Sequence, residues 1–426
     1  MKGGTRKRGS TWSYYFDLGK VNGKRKKKEK GGFRTKKEAQ KALIHAIDEY
    51  NHAGMVFEPS EITVSDYLDQ WYELYCKVNL KYNTQVAYLR IIEKHLKPSF
   101  GSYKLKAITA AHLQKYANEL ATTYSKNHMT GILTVFQSAL DYAMEPLGYI
   151  NQNPMKMVRV PKIEKKQRER IILSMEQWNT IIHRFENTRF YLPLMIGFYT
   201  GLRISETFAL TWDDIDFEQH TLSVSKQVVK RNFGADVKKA VEKKQEKVKK
   251  SSWYFATPKT ASSIRTIPFG DTLYETLKKE KAAQRRNELE YGEDYTIHIE
   301  KKEIDEKGNE LKKLVPIKKK DATSSDKRIH LLCINKNGSY TSTDSFKFCS
   351  RVIHKELNIN FDYHSLRHTH ATLLIESGAN VKNVQARLGH SNIQTTLQTY
   401  VHNTNRMEEQ SVQLFEEITG GNRVAK

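Results

Sequence analysis

Two arginines, a lysine, two histidines and a tyrosine stand in separate short motifs spread over the second half of the chain. Arg203 lies in Thr200-Gly201-Leu202-Arg203-Ile204-Ser205-Glu206, and Lys259 in Pro258-Lys259-Thr260. His364 and Arg367 share His364-Ser365-Leu366-Arg367-His368. His390 ends Leu388-Gly389-His390, and Tyr400 opens Tyr400-Val401-His402. Together these are the groups needed to attack one phosphodiester without a metal. Such an attack gathers charge on the non-bridging oxygens as a pentavalent phosphorus forms. Guanidiniums suit that charge, because each offers parallel N–H donors and never deprotonates. Arg203 and Arg367 are therefore the expected clamp. Tyr400 is the expected nucleophile, although a phenol of pKa about 10 needs a base or strongly positive surroundings near neutral pH. His364 can accept its proton, His390 can donate to a phosphate oxygen, and Lys259 can protonate the departing 5′ oxygen. The phosphotyrosyl product conserves the energy of the phosphodiester, so no cofactor is expected. Glu206 follows Arg203 by three residues, one helical turn, and can hold the guanidinium.

A metal site is the rival chemistry. His364 and His368 are four residues apart on one helix face, with His370 and His390 as further ligands. The His-rich stretch has no acidic residue to act as general base in the H-E-x-x-H manner, and Arg367 within it repels a cation. No metal is therefore expected.

The elements that must position these residues follow from composition and pattern. A chain of 426 residues exceeds the roughly 250–300 that one core supports, so two or three domains are expected. The net charge of +23 is the footprint of a polyanion binder, since neutralising phosphates releases condensed counterions. No apolar run approaches the length of a membrane span, and the N-terminus carries no signal-peptide pattern. Three cysteines without C-x-x-C spacing suggest reduced thiols and a cytoplasmic protein.

Residues 1–58 read as a small sheet with one helix. Trp12, Tyr14 and Phe16 alternate along a strand, Asn22-Gly23 is a hairpin turn, and Thr35 to Glu38 forms a capping box. The run Lys24-Arg25-Lys26-Lys27-Lys28 falls on that sheet and is the candidate DNA contact; a solvated strand edge protected by lysines is the bland alternative. Residues 61–155 read as four helices, the second stopped by Pro98. A charged linker is expected over 156–170. Beyond it, the spacing predicts helices over Met175–Phe185 and Tyr191–Leu210. Strands are expected over Thr221–Val229, Ser252–Ala256 and Ile264–Pro268, and then a return to helices. Two lysine-rich stretches, Lys238–Lys250 and about 300–327, read as solvated insertions, the first with a possible DNA contact. The fold class is α+β, mainly helical with a small antiparallel sheet.

In combination these motifs resemble the tyrosine recombinases, specifically integrases of phages and integrative elements of Gram-positive bacteria. The resemblance covers essentially the whole chain and includes Thr395-Thr396 before Tyr400. It implies a catalytic set of Arg203, Lys259, His364, Arg367, His390 and Tyr400, with Glu206 in support. It also implies an arm-type DNA-binding module (1–58), a helical core-binding domain (61–155) and a catalytic domain (171–426). The partners implied are double-stranded DNA at core and arm sites, a homotetramer acting through a Holliday junction, a small excision factor and a host DNA-bending protein. A tail helix over 403–417 would pack on its own domain or dock on a neighbouring protomer, as the family favours. A relaxing enzyme of the type IB topoisomerase kind and a non-catalytic DNA-binding regulator are the competing readings. The first needs neither the N-terminal module nor a tail helix, and the second leaves the ordered motifs unexplained.

Overall fold

The computed structural model describes residues 3–21, 24–53, 62–162, 170–232, 234, 237–242, 251–258, 260–305, 308–400, 412, 415–417 and 419. The Asn22-Gly23 turn, Lys259, residues 163–169 of the expected linker and most of the expected tail helix lie outside these. The chain forms two compact units, Met1–Lys165 and Lys166–Lys426.

The first unit opens with antiparallel strands Gly3–Arg8, Thr11–Val21 and Lys24–Phe33, side by side in that order. The helix Lys36–Ala53 covers one face, where Tyr14, Phe16 and Leu43 are buried together. Thr35 Oγ1 accepts from the Glu38 amide at 3.2 Å, as the capping box requires. The return bond is displaced by one residue, because the Glu38 carboxylate accepts from the Arg34 amide at 3.1 Å. Lys27 lies opposite Asp17 and Lys28 opposite Phe16 on the outermost strand. Adjacent strand residues point to opposite faces, so the pleat sets Lys27 and Lys28 on different faces.

The helical part of this unit comprises Val64–Trp71, Tyr82–Ile91, Ala110–Thr123 and Lys126–Met144, with short extensions. Val64, Tyr67, Leu68 and Trp71 are buried in its core, as their spacing predicts. Pro98 does not stop the second helix. A wide turn over Ile92–Leu96, closed by the Lys97 amide on the Ile92 carbonyl, leads into Lys97–Phe100, where proline occupies the first turn. There its missing N–H is not needed, and the ring escapes the clash it would make mid-helix. Further on, the side chain of Gln114 brackets the Arg159 backbone, donating to its carbonyl at 2.9 Å and accepting from its amide at 2.8 Å.

The second unit wraps helices around a core that includes the stacked pair Trp178 and Phe198, whose ring centroids are 3.9 Å apart. The helix Met175–Phe185 has the predicted bounds. The expected helix Tyr191–Leu210 instead breaks after Thr200, and a short helix resumes over Ile204–Thr207. Against Tyr191–Thr200 lies Tyr363–Glu376, so closely that a Cβ on Gly197 would meet Leu366 Cδ1 and Tyr363 Oη at 2.7 Å each.

Two sheets complete the unit. One places Thr221–Val224 between Ile215–Asp216 and Arg265–Pro268. The other has five strands, in the order Arg328–Ile329, Thr296–Ile304, Glu310–Lys318, Ser251–Ala256 and Gln227–Asn232. The single strand expected over Thr221–Val229 is thus two strands in two sheets. The second lysine-rich stretch is also corrected: it belongs to a hairpin inside the larger sheet rather than to a solvated insertion. Ile297, Ile299, Leu311 and Leu314 on its two paired strands are buried and anchor it. No helix among the described residues is long and apolar enough to cross a membrane.

Candidate active site

The break after Thr200 builds the first half of the site. Gly201 adopts the left-handed conformation (φ 66°) that caps a helix, which an L side chain rarely enters. Space excludes a side chain as well, since a Cβ there would lie 2.8 Å from Leu388 Cδ2 and 2.9 Å from His370 Cδ2. The turn leaves the Gly201 carbonyl accepting from Arg367 Nη1 at 2.8 Å. Arg203 then caps the short helix that carries Glu206.

Glu206 is the hub of the charges. Its Oε1 accepts from Arg203 Nη1 at 2.8 Å, and its Oε2 accepts from the Arg203 amide and from Arg265 Nη2, each at 3.1 Å. Its side chain is 3% exposed and that of Arg265 7%, whereas Arg203 is 34% exposed. Burial opposes ionisation of Glu206, but Arg265 and then Arg203 overcome it and hold the carboxyl below its ordinary value.

Arg367 is 1% exposed and ties two distant segments together, donating to the carbonyls of Gly201 at 2.8 Å and Leu388 at 2.7 Å. A buried guanidinium costs free energy unless its donors are met, and two carbonyls fix its plane. His390 follows Gly389, which caps the helix Val381–Leu388 in the left-handed conformation (φ 68°). Its Nδ1 lies 2.8 Å from Thr396 Oγ1, which couples it to the helix Ile393–Tyr400. Desolvation pushes the His390 imidazole down to about 4, with Arg367, Arg203 and Arg265 adding to the shift. His364 is lowered by desolvation and then by Arg367, although its surface is exposed. The common fields of Arg203 and Arg367 on both rings bring four of the expected residues, with Glu206, into one site.

Two expected residues stand differently. Tyr400 closes the backbone of the helix Ile393–Tyr400, and Lys259 lies outside the described residues between Pro258 and Thr260.

Sequence reasoning missed Arg265 and Arg387. Arg387 donates through Nε to His370 Nε2 at 3.0 Å, and through its other nitrogens to the carbonyls of Pro268 and Tyr199. His370 Nδ1 lies 2.8 Å from the Phe198 carbonyl. Both nitrogens of this candidate metal ligand are therefore engaged by protein groups, with Nδ1 carrying the proton. The only sequence signal for Arg265 was its place six residues after Lys259; Arg387 had none beyond adjoining Leu388.

These imidazoles make stability depend on pH. Burial pushes His370 down to about 4, and His368 and His390 are likewise at about 4, against about 6.5 in an unfolded chain. Between those values the unfolded chain binds more protons, so stability falls as pH drops from about 6.5 to about 4. Urea midpoints measured from pH 7.5 to 4.5 should decline across that window, and His370→Gln should flatten the decline. A midpoint indifferent to pH would contradict imidazoles held neutral by the fold.

Comparison with known proteins shows the family. Residues 162–407 match the phage integrase family, residues 63–121 a phage integrase N-terminal SAM-like domain, and residues 5–50 an arm DNA-binding domain. The chain is 28% identical over 405 residues to a "tyrosine recombinase XerC-like" protein of Caldanaerobacter subterraneus subsp. tengcongensis, covering 93% of each chain. It is similar in fold to a Tn1549 transposon integrase in complex with circular intermediate DNA. That match has a TM-score of 0.60 and 21% identity, covering 83% of this chain and 99% of the other. A lambda integrase tetramer bound to a Holliday junction matches with a TM-score of 0.53 and 17% identity, covering 89% of this chain and 90% of that one. The chain accordingly belongs to the phage integrase family and is a tyrosine recombinase, an enzyme that cuts and rejoins DNA.

Proposed function

We propose that the chain integrates and excises a mobile element at attachment sites, with Tyr400 as the nucleophile of each strand exchange. The observation that carries this reading is the coupling of the charged cluster to one helix. Arg203, Arg367 and His390 share a field, and His390 is bonded to Thr396, one helical turn before Tyr400. In the forward step Tyr400 Oη attacks the scissile phosphorus, the phenolic proton passes to His364, and a bond from phosphorus to tyrosine forms. The bond to the 5′ oxygen breaks, and Lys259 supplies the proton to that oxygen. Arg203 and Arg367 meet the charge that builds on the non-bridging oxygens, the kind of preorganised donor that is usually the largest single catalytic contribution. Rejoining is the reverse, with the 5′ hydroxyl of a second duplex as nucleophile.

The family matches to residues 5–50 and 63–121 support an arm-binding module over 1–58 and a core-binding domain over 61–155, joined by a linker over 156–170 to a catalytic domain over 171–426. Lys24, Arg25, Lys26, Lys27 and Lys28 are the proposed arm contacts. The likeness to a lambda integrase tetramer bound to a Holliday junction supports a tetramer that exchanges strands through such a junction, and the likeness to a Tn1549 integrase on DNA supports duplex DNA as the substrate. A small excision factor and a host DNA-bending protein would set direction.

The test uses the full chain and a nicked duplex carrying the DNA that flanks its gene, in EDTA and without nucleotide. A protease-sensitive band on a denaturing gel is expected, and peptide mapping should place the nucleotide on Tyr400. A nucleotide on another residue would overturn the assignment.

A further inference from the structure

We propose that Arg265 is a positioning residue for strand cleavage, holding the Arg203 guanidinium and the His390 turn in one fixed relation. The proposal rests on the reading of Arg203 as a donor to the scissile phosphate.

The geometry of one guanidinium carries it. Through Nη2 Arg265 donates to Glu206 Oε2 at 3.1 Å, through Nε to the Arg387 carbonyl at 2.7 Å, and through Nη1 to the Ser263 carbonyl at 2.9 Å. Three chain segments thus meet on one planar group: the Arg203–Glu206 turn, the turn that precedes strand Arg265–Pro268, and the end of the helix Val381–Leu388. Gly389 is an independent sign of how closely they meet. A Cβ there would lie 3.0 Å from Arg265 Nη1 and 3.0 Å from the Ser262 carbonyl. The guanidinium fills the space under the turn whose next residue is His390.

Glu206 needs this second partner. Arg203 is one-third exposed, and a pair with an exposed partner is weak and easily rearranged. With Arg265 gone, the buried carboxylate would have Arg203 alone to compensate its charge, and would draw that guanidinium inward. Two of its three bonds end on the segments that carry Arg203 and His390, so it is placed to act through those residues. A lysine in its place offers a point charge and cannot span three acceptors in a plane.

The experiment compares wild type, Arg265→Gln, Arg265→Lys and Arg203→Gln as full-length chains on the nicked duplex described above. The scissile linkage is either a phosphate or a methylphosphonate. The methylphosphonate is neutral, so a guanidinium that serves to meet phosphate charge loses most of its value there. Arg203→Gln should cost roughly 10²–10³-fold on the phosphate and far less on the methylphosphonate. Arg265→Gln should show the same selectivity with a loss of about 10²-fold, the scale of a small misplacement of a reacting group. Arg265→Lys should not restore the rate. If Arg265→Gln does not fold, the ratio between linkages is read from Arg265→Lys, for which the same selectivity is expected. Equal losses on both linkages, or no loss, would overturn the proposal. Equal losses for Arg203→Gln would instead overturn the clamp reading on which it rests.

Discussion

A Tyr400→Phe chain should bind its core site with unchanged affinity and form no covalent adduct with it. The substitution removes one oxygen and keeps the ring, so the helix Ile393–Tyr400 and the Thr396 contact to His390 have no reason to move. What disappears is the only atom assigned to form the bond to phosphorus. Deleting a nucleophile from a catalytic set typically costs on the order of 10⁴-fold or more, because the remaining groups have nothing to activate. Quantitative binding on an intact duplex and adduct formation on a nicked one should therefore separate completely. An adduct persisting in the variant would move the nucleophile elsewhere in the chain. Loss of binding together with the adduct would mean that the helix, rather than the oxygen, had failed.

Arg367→Lys is expected to lower the cleavage rate by roughly 10²–10³-fold while DNA binding persists. The charge is retained, so a simple electrostatic attraction to DNA should survive. The fork is lost: one ammonium cannot reproduce the planar pair of bonds to the carbonyls of Gly201 and Leu388. One of those carbonyls is then left without its donor in the interior, at a cost of about 1–3 kcal/mol. The variant should consequently unfold at a lower temperature as well as cleave slowly. Single-turnover cleavage and thermal unfolding, measured on the same preparation, distinguish the two effects. A variant that melts early yet cleaves at the wild-type rate would make Arg367 a purely structural residue.

Much of this site was legible in the chain because its parts are short-range. Arg203 and Glu206 are one helical turn apart, and that spacing alone predicts the ion pair observed at 2.8 Å. Gly201 and Gly389 sit in their motifs as glycines because each caps a helix in the left-handed conformation, a local demand visible in a local pattern. The limits of the helix Met175–Phe185 and the buried alternation of Tyr14 and Phe16 are equally local. The break in the predicted helix Tyr191–Leu210 was the local signal left unused, since Gly201 marks it.

The amino-acid sequence by itself determined the family, the chemistry and the identity of the groups proposed to perform it, because motif residues carry their reactivity with them. Only the tertiary structure decided which other charges surround them. Arg265 reaches a carboxylate 59 residues earlier and a carbonyl 122 residues later, and Arg387 reaches back 188 residues to Tyr199. No periodicity of 2 or 3.6 residues encodes such meetings, which follow from how whole elements pack. The same holds for the strand pair Glu310–Lys318 and Ser251–Ala256, which joins a lysine-rich hairpin to the sheet. Its partners are chosen by burial of alternate side chains across the fold, a preference that no single segment displays alone.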